Sequence, residues 1–336
     1  MYTPATFTAA LLLTILCTIC WGSFANTFKL TRGYRFELYY WDYGAGIFLV
    51  SLLYAFTLGS TGGAHGFAAN LHQATGACMV WAAAGGFVFN IANVLLVAGI
   101  DMVGLAIAFP LSIGIALVEG TVLSYAIHPA GNAALLFSGV GCALLAVVLI
   151  GFAYAARGVA SVVATRKGIV VCVVSGVLMG SWAPLLAKAL QGPTPIAGAT
   201  VQPGALSPYA AAVFMTMGAF VCCFVFNPLL MRRPLAGTPV TMAGYWRAPS
   251  TYHVLGLVGG AVWGTGTVLN LVASAKVGLP ISYAIGQASP MVATLWGVFA
   301  WHEFRGARAQ SKALLAAMIA AYVLALVLIS RAYQGV

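Results

Sequence analysis

The sequence predicts an all-α, polytopic membrane protein: ten transmembrane helices in two inverted five-helix repeats, residues 1–155 and 156–336, forming one integral membrane domain. Three observations predict it. Hydrophobic residues make up 62% and charged residues 6% of the 336, whereas a soluble chain carries about a quarter charged. Cutting at polar, charged and Gly/Pro breaks leaves ten apolar runs, each close to the ~20 residues that a helix needs to cross a bilayer. Two short elements also recur in the same order, five runs apart.

The first run, 6–27, is apolar from Phe7 to Cys20 and has neither a basic leader nor a small-residue cleavage site, so it reads as a retained span. The second, 38–58, opens among Tyr39, Tyr40, Trp41 and Tyr43, an aromatic belt suited to a membrane interface. The third, 76–98, carries Asn90 and Asn93 on adjacent turns, and the fourth, 102–127, carries Pro110 and a lone acid, Glu119. Runs 133–155, 168–190, 208–230 and 252–275 follow. The ninth, 279–301, is interrupted by Pro290 much as the fourth is by Pro110, and 311–329 completes the set. A proline inside a membrane helix removes one hydrogen bond, which is tolerated where neighbours or water re-satisfy the freed carbonyl. The longest connections, 191–206 and 232–251, are too short to fold alone.

Fifteen Lys and Arg against five acids give a net charge of +10. The bases sit in short loops beside apolar runs, which is the positive-inside pattern rather than a nucleic-acid surface. The loops after runs one, three, five, seven and nine hold twelve bases; the other side, both tails included, holds Lys188, Lys276 and Arg331. This places the odd loops in the cytoplasm, both termini outside, and the protein in the cell (inner) membrane. Ten spans then divide into halves of opposite sense, as in many secondary transporters. Gly22-Ser23-Phe24-Ala25 returns 158 positions later as Gly180-Ser181-Trp182-Ala183, and Gly104-Leu105-Ala106-Ile107 returns 174 later as Gly278-Leu279-Pro280-Ile281. All seven cysteines lie in apolar runs and read as small packing residues. Cys17-x-x-Cys20 lacks the further ligands that zinc requires, so no metal or cofactor is expected.

Glu119 lies seven residues after Ser112 and shares its helical face. It stands ~12 Å from the end of its run at 1.5 Å per residue. A charge at lipid depth must be paired, face water or take up a proton, which makes Glu119 the proton-coupling candidate. The competing reading is a protonated acid bonded to a neighbouring helix. Asn90, Asn93 and Asn270 offer amides that donate and accept, as a urea-like or sugar solute requires; the alternative for each is an interhelical clasp. Trp263 stands seven residues before Asn270, and Tyr283, Gln287 and Pro290 fall at i, i+4 and i+7 as a second wall. Trp21 and Trp182, beside and within the repeated Gly-Ser element, suit stacking on a flat heterocycle, with plain packing as the alternative. Asp42, close in sequence to Lys29, Arg32 and Arg35, is a gate candidate or an interfacial charge partnered by those bases. Glu303 beside Arg305 reads as structural, and none of the histidines is assigned as a ligand.

In order along the chain, Trp21-Gly22-Ser23 leading to Lys29, Tyr40-Trp41-Asp42-Tyr43, Ala84-Gly85-Gly86 with Asn93, Gly104-Leu105, Asn270, and Trp296-Gly297-Val298 through Trp301-His302-Glu303-Phe304-Arg305 resemble the ureide permease family. That family belongs to the drug/metabolite transporter superfamily, whose bacterial sugar-uptake relatives are the next resemblance. The resemblance implies a basket of helices in two inverted halves, a central cavity reached alternately from each side, and transport of allantoin or related oxo-derivatives of nitrogen heterocycles with protons. Two features depart from it. The plant members' long central loop with a nucleotide-loop-like motif has no counterpart, since the link 156–167 is short and no G-x-x-x-x-G-K occurs. Glu119 is not part of the family pattern, so its role rests on physics alone.

A membrane enzyme would need clustered acids or histidines to hold a metal or activate a nucleophile. The five acids are scattered over five places. A sugar transporter and a passive facilitator of the same fold remain as alternatives within the transporter class.

Overall fold

In lipid every backbone N–H and C=O must be satisfied within the protein, so apolar runs of this length fold as helices. The computed structural model describes residues 1–61, 66–157, 165–193 and 201–334, and among these residues there is no strand. Residues 158–164 of the predicted link between halves, and 194–200 of the connection 191–206, lie outside the described residues.

The chain runs through α1 (Phe7–Ser23), α2 (Ala25–Lys29), α3 (Phe36–Phe56), α4 (Phe67–Gln73), α5 (Gly76–Val103), α6 (Leu105–Ile127), α7 (Ala133–Ala155), α8 (Arg166–Gln191) and α9 (Pro208–Arg232). It continues through α10 (Met242–Trp246), α11 (Ser250–Val277), α12 (Leu279–Gly286), α13 (Ser289–Phe299) and α14 (Ala309–Gln334). Side-chain oxygens of Thr6, Thr75, Asn132, Thr165 and Ser207 accept backbone N–H groups at the starts of α1, α5, α7, α8 and α9. Among the described residues nine helical segments, α1 with α2 counting as one, are long and apolar enough to cross a membrane. The short helices α4 and α10 lie in segments expected to be connections.

The ninth predicted run is where the structure departs most from expectation, because residues 279–301 form two helices. Pro290 has no N–H to give the Gly286 carbonyl, and it disfavours helical geometry at Ser289. The helix therefore stops at Gly286 and restarts at Ser289. Pro290 thus does not extend the face of Tyr283 and Gln287. Pro110 has a different outcome, for α6 passes through it unbroken. The carbonyl it frees, on Ala106, lies against Gly151 of α7, where a side chain would collide with it.

Residues 102–103 belong to α5, and the turn into α6 is made at Gly104 with φ +77°. Gly278 makes the same turn between α11 and α12 with φ +81°, a backbone region costly for any residue with a Cβ. The crossings nearby also come in pairs. Gly86 and Gly218 let α5 and α9 touch, each against a carbonyl of the other helix, from Met215 and Ala83. Gly260 and Gly46 do the same for α11 and α3, against the carbonyls of Tyr43 and Leu257. Contacts of this kind hold membrane helices together where no hydrophobic force separates protein from lipid. α8 packs on α5 and α6, α1 packs on α11 and α13, and α7 packs on α14 at the edge of the bundle.

Candidate functional site

Five aromatic side chains from five helices meet at the centre of this arrangement. The Trp21 ring of α1 stacks on Trp263 of α11 at 5.9 Å between centroids, and Trp263 stacks on Phe89 of α5 at 4.3 Å. Trp182 of α8 meets Trp21 edge-on at 6.0 Å and Phe89 at 6.3 Å, and Tyr283 of α12 meets Trp182 at 5.4 Å. Trp21 also donates through Nε1 to Thr267 Oγ1 at 3.2 Å. All five rings are buried. Such a cluster presents several flat faces and few fixed charges.

Polar groups flank the cluster. Asn93 donates from Nδ2 to the Tyr40 hydroxyl at 3.0 Å, and Asn90 Oδ1 faces the Cys223 thiol at 3.7 Å. Asn90 Nδ2 and the Tyr43 hydroxyl are buried without a hydrogen-bond partner among the described residues, which is costly unless something completes them. Asn270 Nδ2 donates to the Ser282 carbonyl at 2.7 Å, tying α11 to α12. Gln287 is buried at the break between α12 and α13. The Tyr283 hydroxyl of α12 donates to the Ala116 carbonyl of α6 at 3.0 Å.

Ser112 and Glu119 do share a face, and it is turned to α8. Ser112 donates to the Cys172 carbonyl at 2.9 Å, and the Ser181 hydroxyl donates to Glu119 Oε1 at 3.0 Å. Glu119 is half-buried, beside Gly180 of the repeated Gly-Ser element. It is joined to the aromatic cluster through α6, whose Gly120 lies against the Tyr283 ring.

The cluster separates two cavities. One, of about 490 Å³, lies among Phe28 at the end of α2, Phe36 and Glu37 at the start of α3, and Val97 and Asp101 near the end of α5. Arg35 roofs it, bonding Glu37 at 2.6 Å and the Thr238 carbonyl at 2.5 Å. Burial, and then the Asp42 charge, push the nearby Tyr34 hydroxyl up to about 12. The other cavity, of about 110 Å³, lies among Leu190 at the end of α8, Leu206 and Pro208 at the start of α9, and Ser274 and Gly278 at the end of α11. Each cavity thus takes its walls from corresponding places in the two halves of the chain.

One sequence expectation is corrected at the basic end, and another gains its partners. Asp42 is not held by Lys29, Arg32 or Arg35; it accepts from the Tyr245 hydroxyl at 2.7 Å and pairs with His253 Nδ1 at 2.8 Å. Tyr245 and His253 are far away in sequence, and the chain path between α9 and α11 brings them over α3. Glu303 is paired with Lys29 and accepts from the Tyr154 hydroxyl at 2.9 Å, while Arg305 points elsewhere. The sequence reading also passed over Phe89, although Gly85-Gly86 with Phe89 and Gly259-Gly260 with Trp263 repeat at the 174-residue separation of the hinge glycines.

The family model described as Ureide permease matches this chain over residues 39–160 and 158–332. Ureide permease 4 of Arabidopsis thaliana is 23% identical, covering 98% of this chain and 98% of its own length. Ureide permease 5 of the same plant is 25% identical over 94% of this chain and 91% of its own length. A probable ureide permease, A3 of Vigna unguiculata, is 36% identical over 33% of this chain and 31% of its own. A solved crystal structure, 13% identical, superposes with a TM-score of 0.62 over 96% of this chain and 98% of that one, which shows a shared fold.

Proposed function

This chain belongs to the ureide permease family and is a multi-pass membrane transporter rather than an enzyme; on that premise we propose that it carries ureides, such as allantoin, across the membrane by alternating access with protons. The observation that carries the proposal is the pair of cavities, about 490 Å³ and 110 Å³, at corresponding places on opposite sides of one aromatic cluster. If the halves are inverted copies, exchanging their conformations exchanges which cavity is wide. The present state is then open toward the basic end and closed toward the end that holds both termini.

The pairing of helices supports the inverted repeat. Counting α1 with α2 as span one and α12 with α13 as span nine, the most extensive contacts have counterparts five spans on: α5 with α8 answers α11 with α1, and α5 with α9 answers α11 with α3. On this reading 1–155 and 156–336 are the two repeats and the spans number ten. Twelve of fifteen bases at one end support a cytoplasmic location for that end, with both termini outside.

Trp21, Trp182, Trp263 and Tyr283 supply faces for a flat, hydrogen-bonding ring. Asn90, whose Nδ2 has no hydrogen-bond partner among the described residues, and Asn93 supply donors from beside it, and Asn270 and Gln287 flank the break between α12 and α13. Ser112 and Glu119 lie on the seam between α6 of one half and α8 of the other, which must shift when the halves rock. A carboxyl there can exchange its Ser181 partner for a proton. Asp42, with Tyr245 and His253, latches the basic end as a gate.

The test is uptake of radiolabelled allantoin into proteoliposomes with and without an inward proton gradient. Glu119→Gln is expected to abolish gradient-driven accumulation while sparing exchange of internal for external solute. Unchanged accumulation would make Glu119 structural. Gradient-independent uptake by the wild type would make the protein a facilitator, and uptake of sugars but not ureides would overturn the substrate assignment.

A further inference from the structure

The break at Gln287 and Ala288 turns α13 away from α14, and a groove of about 580 Å³ opens between the two helices at the basic end of the bundle. Its walls are apolar, from Leu315, Ala316 and Ile319 on α14 and from Phe299 at the tip of α13, whose side chain is 71% exposed. In a membrane protein such a surface faces lipid, so its apolarity alone indicates only acyl chains. The rim is more specific. Arg305 and Lys312 both line the groove and both are exposed. Neither side chain has an ion-pair partner among the described residues, whereas Lys29 and Arg35 at the same end are paired with Glu303 and Glu37. The volume is within the range of sites that enclose a small ligand.

Two unpaired cations at the mouth of an apolar groove that opens onto the bilayer match one kind of occupant, a molecule with an anionic head and a hydrocarbon tail. We propose that the groove between α13 and α14 binds an anionic phospholipid, its tail against Leu315 and Ile319 and its phosphate between Arg305 and Lys312. Basic pockets between helices on the cytoplasmic side are suited to anionic head groups, and each nearby Lys or Arg adds to the attraction. The proposal rests on the chain spanning a membrane and is independent of which solute it carries. Because α13 packs on α1 but touches α14 little, lipid in the groove wedges it in its splayed position.

Native mass spectrometry of the full chain, released from vesicles of equal phosphatidylglycerol and phosphatidylcholine, tests this. The wild type is expected to retain phosphatidylglycerol preferentially. R305Q/K312Q should lose that preference by about tenfold or more, while R233Q/R247Q, which removes two exposed bases outside the groove, keeps it. Ala316→Leu, which narrows the groove and leaves both bases, should lower retention as well. Each variant is first checked for a monodisperse peak, and Arg305→Gln alone serves if the double variant fails that check. Retention unchanged in the R305Q variants overturns the proposal. So does full retention in Ala316→Leu, which would mean an anion bound without its tail, or a dimer mass free of lipid, which would mean a second copy fills the groove.

Discussion

α6 leaves its hinge at Gly104 and runs unbroken for 23 residues along α7, whereas α12 leaves the matching hinge at Gly278, stops after 8 residues, and hands over to α13. The hinges have the same geometry, and the helices before them, α5 and α11, have the same 28-residue length. Proline position makes the difference. Pro110 stands near the start of α6, where Gly151 of α7 closes over the carbonyl it frees. Pro290 stands mid-span after Gly286, with Gln287 buried at the break. One half therefore presents a continuous post and the other a jointed arm. A groove opens beside α14 because the arm leans away from it, and α6 fits closely along α7. Two stretches with matching hinges can thus share a frame while one is straight and the other jointed.

The shared frame is the part whose damage should cost most. Gly86→Val and Gly260→Val each drive a side chain into the carbonyl of a crossing helix, Met215 in the first half's case and Tyr43 in the second's. Overpacking typically costs about 1–3 kcal/mol, occasionally more, and backbone against backbone cannot yield by rotating a side chain. Both variants should lose most monodisperse protein on size-exclusion chromatography, to similar extents. If one is tolerated, the two crossings are not equivalent and the comparison fails at its base.

The joint is the next target. Pro290→Ala restores an N–H to the Gly286 carbonyl and permits α12 and α13 to join; a proline inside a helix costs ~3 kcal/mol, part of which the variant recovers. Its melting temperature should rise while allantoin uptake falls several-fold. Pro110→Ala has no break to heal, so its uptake should stay near wild type. Equal losses of uptake in both would mean that Pro290 does no more than Pro110, and that the jointed arm is not what moves.

Much of this frame was readable from residues. Outside the broken run 279–301, run lengths gave the membrane-spanning helices to within about five positions, and 133–155 matches α7, because lipid leaves the backbone of a single span no alternative to helix. The Gly-Leu-x-Ile echo at 104 and 278, legible in sequence only as a sign of duplication, falls on both hinges. What escaped was whatever depends on three-dimensional approach. Both runs hold a proline, and that its position near the start of one and in the middle of the other would decide between a kept helix and a broken one became plain only with the packing of Gly151 on α6. Asp42 stands among bases in sequence, yet its partners Tyr245 and His253 come from the far side of α9. Phe89 carries no polar signal, and it is central only because α5 and α11 meet there.

The smallest effect concerns the ends of the two units. Where α13 ends, Glu303 pairs with Lys29 and accepts from Tyr154; where α6 ends, at His128 and Pro129, no acid stands, and Lys188 lies 4.6 Å from the Trp81 ring centre instead. Burial pushes the Glu303 carboxyl up, but hydrogen bonds from Lys29 and Tyr154, with the charges of Lys29 and Arg157, outweigh it and hold the group below its ordinary value of 4.5. A carboxyl lowered in the folded state stabilises fully above its unfolded value and stops doing so as pH falls through the folded one. Glu303→Gln should therefore cost under about 1 kcal/mol at neutral pH, since the pair is partly solvated. The difference in melting temperature from wild type should shrink as pH drops below 4.5. A difference that stays constant down the acid range would mean that the pair's charge contributes nothing, and that the tip of the jointed arm is held by Trp301, Phe304 and their neighbours alone.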